Sequence, residues 1–214
     1  MPDANLIIVY IMGRQASDTR KLEKGTMDRG NKFFGGHEAL VVFDDVFVPW
    51  DRVFMCGETE FSGVLVEKFA SYHRQSYACK VGVGDVLIGA AQTAAEYNGV
   101  ARASHVRDKI IEMNQLNETL YCGCIACAAE GAVEPSGTYC VQTLLANVHK
   151  QNVTRFPYEI SRLAQDIAGG LMVTLPSEAD YRSETVGPLI EKYFRTREGV
   201  STEARMRILR LIEN

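Results

Sequence analysis

The sequence predicts an α+β chain that is mainly α: a small β unit followed by an antiparallel helical bundle. Three observations carry this expectation. Apolar β-branched runs are confined to the first 55 or so residues, the apolar period lengthens to that of a helix from about Thr59, and turn residues punctuate the remainder at helix-length intervals. With 46% hydrophobic residues over 214 positions, the chain can bury a sizeable core as one large domain or two small ones.

The elements follow in order. Residues 6–12 form an apolar run that reads as a strand. ALVVFDDVFVPWDRVF, residues 39–54, reads as two short strands around a turn at Asp44 and Asp45, with Pro49 at an edge or exit because it cannot donate to a ladder. DRGNKFFGGHEA, between these runs, is a loop or hairpin tip. From Thr59 onward, Val64, Phe69, Tyr72, Val83, Val86, Leu87, Ala90 and Ala91 suit one long helix. ASHVRDKIIEMNQLNETLYCGCIACAAEGAV reads as a second, with Ser104 as its N-cap. EPSG is a turn, and a third helix runs over about 138–155. Pro157 interrupts it, and a shorter helical segment stops at Gly169 and Gly170. TLPSEADYRSETVG is a loop. Short helices follow at about 188–194 and 202–211, the latter capped by Ser201 or Thr202 with Glu203 in its first turn. The plan divides the chain into a β part over 1–58 and a helical-bundle domain over 59–214.

The net charge of −4, with no basic cluster carrying interleaved aromatics, argues against a nucleic-acid partner. No apolar run reaches the roughly 18 residues of a spanning helix. The opening MPDANLIIVYIMGRQASD lacks a basic n-region and a long apolar h-region, so neither a membrane partner nor a signal peptide is expected. A cytoplasmic, reducing location follows. There the six cysteines Cys56, Cys79, Cys122, Cys124, Cys127 and Cys140 are not expected to form a disulfide framework.

The chemistry concentrates in SYHRQSYACK. His73, Tyr77 and Lys80 stand at i, i+4 and i+7, one face of a helix. A group that titrates near neutrality, a phenol and an ammonium make an acid/base set; an ordinary polar face is the other reading. Cys79, at i+6, points about 120° away from His73 on an ideal helix and is a weak metal partner for it by geometry. Cys122, Cys124 and Cys127 read either as ligands of zinc or an iron–sulfur cluster, or as small buried thiols; no fourth ligand stands close by. KVGVGD fails the dinucleotide spacing and reads better as close helix packing. QDIAGGLMV presents a polar helix end and a glycine pair, fit either for a flat or phosphorylated ligand or for a plain helix stop.

FASYHRQSYACKVGVGDVLIGAA, NETLYCGCIACAAEG, KQNVTRFPYEISRLAQDIAGGLMVTLPSEAD and FDDVFVPW together resemble the 4-hydroxybutyryl-CoA dehydratase (vinylacetyl-CoA Δ-isomerase) family. That family stands with the 4-hydroxyphenylacetate 3-hydroxylase large components and shares the acyl-CoA dehydrogenase fold, here in part. The resemblance extends over nearly the whole chain. It implies a cytoplasmic homotetramer of fermentative metabolism with FAD and a [4Fe–4S] cluster. It further implies an acyl-CoA substrate, dehydrated from 4-hydroxybutyryl-CoA to crotonyl-CoA through a ketyl radical, and migration of the vinylacetyl-CoA double bond. Flavin supplies one-electron chemistry and a cluster iron acts as Lewis acid. Residue by residue, His73 matches a cluster ligand also proposed as a base, and Cys79 a second cluster ligand. Tyr77, Lys80 and Glu38 match catalytic positions. Gln165, Asp166, Ile167, Ala168, Gly169 and Gly170 match the flavin-contacting segment, and Arg74 and Arg155 are further candidates near the cofactor.

Two departures accompany the resemblance. The family pattern separates His and Cys by six residues, and here only five intervene, which rotates Cys79 by about 100° and brings Lys80 into the ligand phase. An N-terminal helical domain that carries the other two cluster cysteines, and a C-terminal active-site Glu, are expected to be absent. The ligand set of this chain is therefore incomplete, and little activity is expected of it alone. Either the helix is locally irregular or the cluster is not held in the usual way, and a second chain is a candidate source of the missing domain. A flavin-dependent aromatic hydroxylase and a non-catalytic oligomerisation subunit are the competing readings.

Overall fold

The computed structural model describes residues 8–13, 26–27, 39–44 and 46–213. Among the described residues, the β part holds one antiparallel strand pair. β1 (Ile8–Gly13) pairs with β2 (Ala39–Asp44) in a register running from Ile8 opposite Asp44 to Gly13 opposite Ala39. The second strand expected beyond Asp44 does not form. Residues 46–49 are irregular, and Pro49 precedes a single 3₁₀ turn, Trp50–Arg52. The loop expected at 28–38 lies outside the described residues. Leu40, Val41, Val42 and Phe43 of β2 are exposed.

Helices begin after a 3₁₀ turn at Thr59–Phe61. The one long helix expected here is two: α1 (Ser62–Ser76) and α2 (Cys79–Tyr97), parted at Tyr77 and Ala78. α3 (Ser104–Ala129) starts with Ser104 as its first helical residue. Ala103 takes the cap position, without a side-chain cap bond. The third helix is shorter than expected, because a two-residue strand pair, β3 (Ala132–Val133) with β4 (Tyr139–Cys140), occupies its start and encloses the EPSG turn. α4 (Thr143–Val153) then begins under a Gln142 side-chain cap. Pro157 sits in the first turn of α5 (Phe156–Ala168), where its missing N–H costs no helical bond. Gly169 stops α5 with φ +76 and ψ 179, a backbone state open essentially to glycine alone.

The expected loop after α5 contains a short helix, α6 (Glu178–Tyr181), started by a Ser177/Asp180 capping box. α7 (Gly187–Tyr193) and α8 (Thr202–Glu213) close the chain, and Ser201 accepts the Ala204 amide at 3.1 Å as the cap of α8.

The core forms where α2, α3, α5 and α8 meet. α2 contributes Ala90, Ala91, Ala94 and Ala95, small residues that let neighbouring helices approach. α5 contributes Ile160, Leu163, Ala164, Ile167 and Ala168, an i, i+3, i+4, i+7, i+8 stripe. α3 buries Val106, Met113, Leu120 and Cys127, seven residues apart, as a narrow seam. Thr26 and Met27 reach this bundle from the β part. Met27 is 3% exposed, its amide donates to Glu178, and Arg207 Nη1 donates to the Thr26 carbonyl at 2.8 Å. Among the described residues, no helix is long and apolar enough to cross a membrane.

Candidate functional site at the junction of the first two helices

The α1–α2 junction is held by i→i−3 backbone bonds: Ala78 to Gln75 at 3.1 Å, Lys80 to Tyr77 at 2.9 Å and Val81 to Ala78 at 2.9 Å. The helix is thus locally irregular, one of the two outcomes the short His73–Cys79 spacing allowed. A 3₁₀ turn advances about 120° per residue against about 100° for an α-helix, so each tightened residue returns about 20° of the rotation lost to the shorter spacing. No proline or glycine stands at the junction, so local sequence gives no sign of the break.

His73 Nε2 and the Tyr77 hydroxyl are 2.9 Å apart, with the rings edge-on at 4.9 Å between centroids. Phe69 packs beside His73 at 5.3 Å. The i, i+4 spacing places these rings together, as read from the sequence. Lys80 does not join them: with Cys79 it stands exposed beyond the break, without a hydrogen bond or ion pair to either ring.

α4 supplies the residues the sequence reading missed. Thr143, Asn147 and Lys150, spaced by four and three, face Ser71 and Arg74 of α1 and Tyr77 at its C-terminal end. Ser71 and Thr143 hydroxyls are 3.4 Å apart, Arg74 donates to Asn147 Oδ1, and Lys150 Nζ lies 3.3 Å from the Tyr77 ring centroid. The i, i+4, i+7 polar stripe on α4 was the available signal. Arg74 is thereby engaged between helices.

The first turn of α2 is fixed from α3. Buried Asn117 donates to the Val81 carbonyl at 3.2 Å and to Asp85 Oδ1 at 2.8 Å. A Cβ on Gly84 would lie 2.0 Å from Asn117 Oδ1, so Gly84 serves the close helix packing expected of KVGVGD, whereas a Cβ on Gly82 would meet nothing.

The segment from Gln165 to Gly170 divides by side chain. Ile167 and Ala168 belong to the core, so only their backbone could meet a ligand. Gln165 and Asp166 are exposed. Asp166 pairs with Lys109, whose hydrogen bond holds that carboxyl below the usual range. Gly169 and Gly170 present exposed backbone with open space beside them. Arg155 faces the Gln151 amide at the opposite end of α5, about 20 Å along the axis from this glycine pair. The two ends of α5 therefore cannot grip one small group together.

Cys122 is exposed, Cys124 accepts from Gln75 Nε2 at 3.3 Å, and Cys127 is buried, its thiol pushed up by desolvation. Among the described residues, no three His, Cys, Asp or Glu side chains gather as metal ligands. Glu38 lies outside the described residues. A cavity of about 530 Å³ opens elsewhere, between α7 and the segment 195–201 that leads into α8, lined by Lys192, Arg195, Arg197 and Ser201 among others and by none of the residues expected to form the site.

Residues 62–214 match the family model for the 4-hydroxyphenylacetate 3-hydroxylase C terminal, and residues 7–55 match its N-terminal counterpart. The chain is 62% identical over 217 residues to a 4-hydroxybutyryl-CoA dehydratase/vinylacetyl-CoA-Δ-isomerase of Clostridium aminobutyricum, covering 97% of this chain and 44% of that protein. It is 26% identical over 174 residues to the oxygenase component of a 4-hydroxyphenylacetate 3-monooxygenase of Thermus thermophilus, covering 80% of this chain and 35% of that protein. An oxygen-tolerant archaeal 4-hydroxybutyryl-CoA dehydratase from N. maritimus superposes with a TM-score of 0.92 at 60% identity, over 96% of this chain and 41% of that one. The oxygenase component of 4-hydroxyphenylacetate 3-monooxygenase in complex with FAD superposes at 0.80 with 23% identity, over 95% of this chain and 43% of that one, a likeness of fold. The shared architecture is the acyl-CoA dehydrogenase-like one, mainly α. The chain spans less than half the length of these relatives.

Proposed function

The chain belongs to the 4-hydroxyphenylacetate 3-hydroxylase family, and from that premise we propose that it serves the dehydration of 4-hydroxybutyryl-CoA to crotonyl-CoA and the isomerisation of vinylacetyl-CoA. The observation that carries the chemistry is the His73–Tyr77 pair, held at 2.9 Å at the break between α1 and α2. A histidine hydrogen-bonded to a phenol can take a proton from a substrate carbon or return one to a leaving oxygen. Lys80 and Cys79, exposed on the next helix, are the groups a substrate bound at the break would meet next. Glu38 is proposed as a carboxylate of the same site.

Flavin is the cofactor this reading needs, and when bound it supplies one-electron chemistry. The exposed backbone at Gly169 and Gly170 fits a flat ligand, with Gln165 and Asp166 at its rim. Cytoplasmic location suits the free cysteines of the described residues, and a homo-oligomer suits the exposed Val64, Leu65 and Phe69 of α1. The two family models meet between residues 55 and 62, which supports dividing the chain at about 58.

A [4Fe–4S] cluster does not fit the described residues. His73 and Cys79 are two donors, and no third stands with them. We read the chain as working with a second, longer chain.

The test is complementation. The 214-residue chain, kept anaerobic with FAD, is assayed for crotonyl-CoA formation alone and with a longer dehydratase chain whose own active-site histidine has been replaced. Little or no turnover is expected alone, with recovery in the mixture that His73→Gln abolishes. Absence of recovery overturns the reading. Phenol-dependent consumption of oxygen with reduced flavin would favour an aromatic hydroxylase instead, the activity for which the 26%-identical relative is named.

A further inference from the structure

The cavity between α7 and the segment 195–201 takes no part in the site at the α1–α2 junction. Its wall carries three cations, Lys192, Arg195 and Arg197, against two carboxylates, Glu191 and Glu198. Among the described residues, none of the three cations makes an ion pair. The Lys192 ammonium lies over the Tyr193 ring, 5.0 Å from its centroid. Of the two carboxylates, Glu191 is already engaged, since it accepts from the Tyr181 hydroxyl at 3.1 Å. A fourth cation stands next to this wall without a carboxylate among the described residues. Arg205 Nη1 donates at 2.7 Å to the carbonyl of Phe194, the neighbour of Arg195, and Arg205 Nε is buried with no partner. A chain of net charge −4 thus gathers unneutralised positive charge around one concavity. Cations held together repel one another, and an anion that enters relieves that repulsion. The backbone adds to it. Gly199 turns the chain at φ +83 and brings Val200 and Ser201 round to the wall, and α8 begins directly after Ser201, so its positive end stands at the rim.

We propose that this cavity binds a nucleoside phosphate, with the phosphate groups held by Lys192, Arg195 and Arg197. A phosphate ion alone would leave most of the 530 Å³ empty, a volume within the range of about 300–1,000 Å³ that takes small organic ligands. A guanidinium meets phosphate oxygens through two parallel hydrogen bonds and also stacks on flat rings, so a pair of arginines suits both halves of a nucleotide. Pro188 and Val200 add apolar wall for the base. The cavity lies at the far end of α2 from the His73–Tyr77 pair. Thr196, between the two arginines, donates to the carbonyl of Tyr97, the last residue of α2 and about 27 Å along that helix from Cys79. It is therefore a second site, and it stands or falls apart from the dehydratase reading. A free nucleotide and the adenosine phosphate end of a coenzyme A ester offer it the same chemistry.

The experiment is isothermal titration calorimetry of the full 214-residue chain with ADP, inorganic phosphate and coenzyme A as probes. ADP is expected to bind at least about tenfold more tightly than phosphate. Arg195→Gln combined with Arg197→Gln weakens ADP by about tenfold or more, while Glu198→Gln tightens it by about two- to threefold, opposite signs that a loosened fold would not give. Arg52→Gln, at an exposed arginine of the 3₁₀ turn before α1, leaves the affinity as it was. Absence of ADP binding overturns the proposal, and so does binding that the double variant leaves unchanged. Equal affinity for ADP and phosphate also overturns it, because the cavity is then a plain anion patch. If the double variant loses its native circular dichroism, Lys192→Gln is read in its place, with an expected loss of about three- to fivefold and the same overturning result. Coenzyme A identifies the source. If it displaces ADP, the site takes the nucleotide end of an acyl-CoA; if ADP stays bound, the site takes a free nucleotide. Both results uphold the cavity as a nucleoside phosphate site.

Discussion

Burial takes the His149 ring out of water, at 1% exposure, and gives neither nitrogen a hydrogen-bond partner among the described residues. Desolvation disfavours the charged imidazole, so its pKa falls below the ordinary value near 6.5. The sign follows from proton counting. Below about pH 6.5 the unfolded chain binds a proton that the folded one refuses, so stability is full above that pH and is lost as pH falls through it. The urea midpoint is expected to drop between about pH 7.5 and pH 5.5. His149→Leu should flatten that drop by up to about 1.4 kcal/mol per pH unit. Urea titrations of both proteins at the two pH values check this, and an equal slope in the variant would assign the proton to another group. At this scale the sequence reading was uneven. The His73–Tyr77 contact was legible because i, i+4 on a single helix fixes it. Lys150 was not, because its place depends on which face α4 turns toward α1, and that is decided by packing far along the chain.

Within α2, two glycines two residues apart carry opposite expectations. A Cβ on Gly84 would fall 2.0 Å from Asn117 Oδ1 and 2.6 Å from its Cγ, on a side chain already tied to Val81 and Asp85. Gly84→Ala is therefore expected to destabilise by about 1–3 kcal/mol despite its helix preference. Gly82 faces open space, and Gly82→Ala should stabilise by up to about 1 kcal/mol through propensity alone. Thermal melts of the two variants should move in opposite directions, and movement of both the same way would remove Asn117 as the cause. Helix existence, the break ahead of Pro157 and the stop at Gly169 were legible because proline fixes its own φ and glycine takes the positive φ that other residues avoid. The break at Tyr77 and Ala78 was not, since neither residue opposes a helix. The strand pair before α4 was not legible either: two residues a side leave no period to read. The capping box of α6 was present as Ser177 and Asp180, but it starts a helix of only 4 residues, shorter than an apolar period can reveal.

For the whole molecule, the division into a β part and a helical bundle was visible in the change of period near Thr59, but the link between them was not. Met27 lies in a stretch with no apolar pattern, yet it is 3% exposed against the bundle, with Glu178 and Arg182 around it. Met27→Ala is expected to cost about 2–5 kcal/mol, the range for a buried methionine, and urea unfolding measures it. A cost under about 0.5 kcal/mol would mean that the socket closes without its occupant. The same contact joins positions 151 residues apart through a main-chain N–H. A single amide therefore acts as a clock for the release of the β part. If Met27 lets go before the helices unravel, its hydrogen will exchange with solvent deuterium faster than the amides of α2 and α5, at a rate set by that opening alone. If it lets go only with them, the exchange rates converge, and β part and bundle form one cooperative unit.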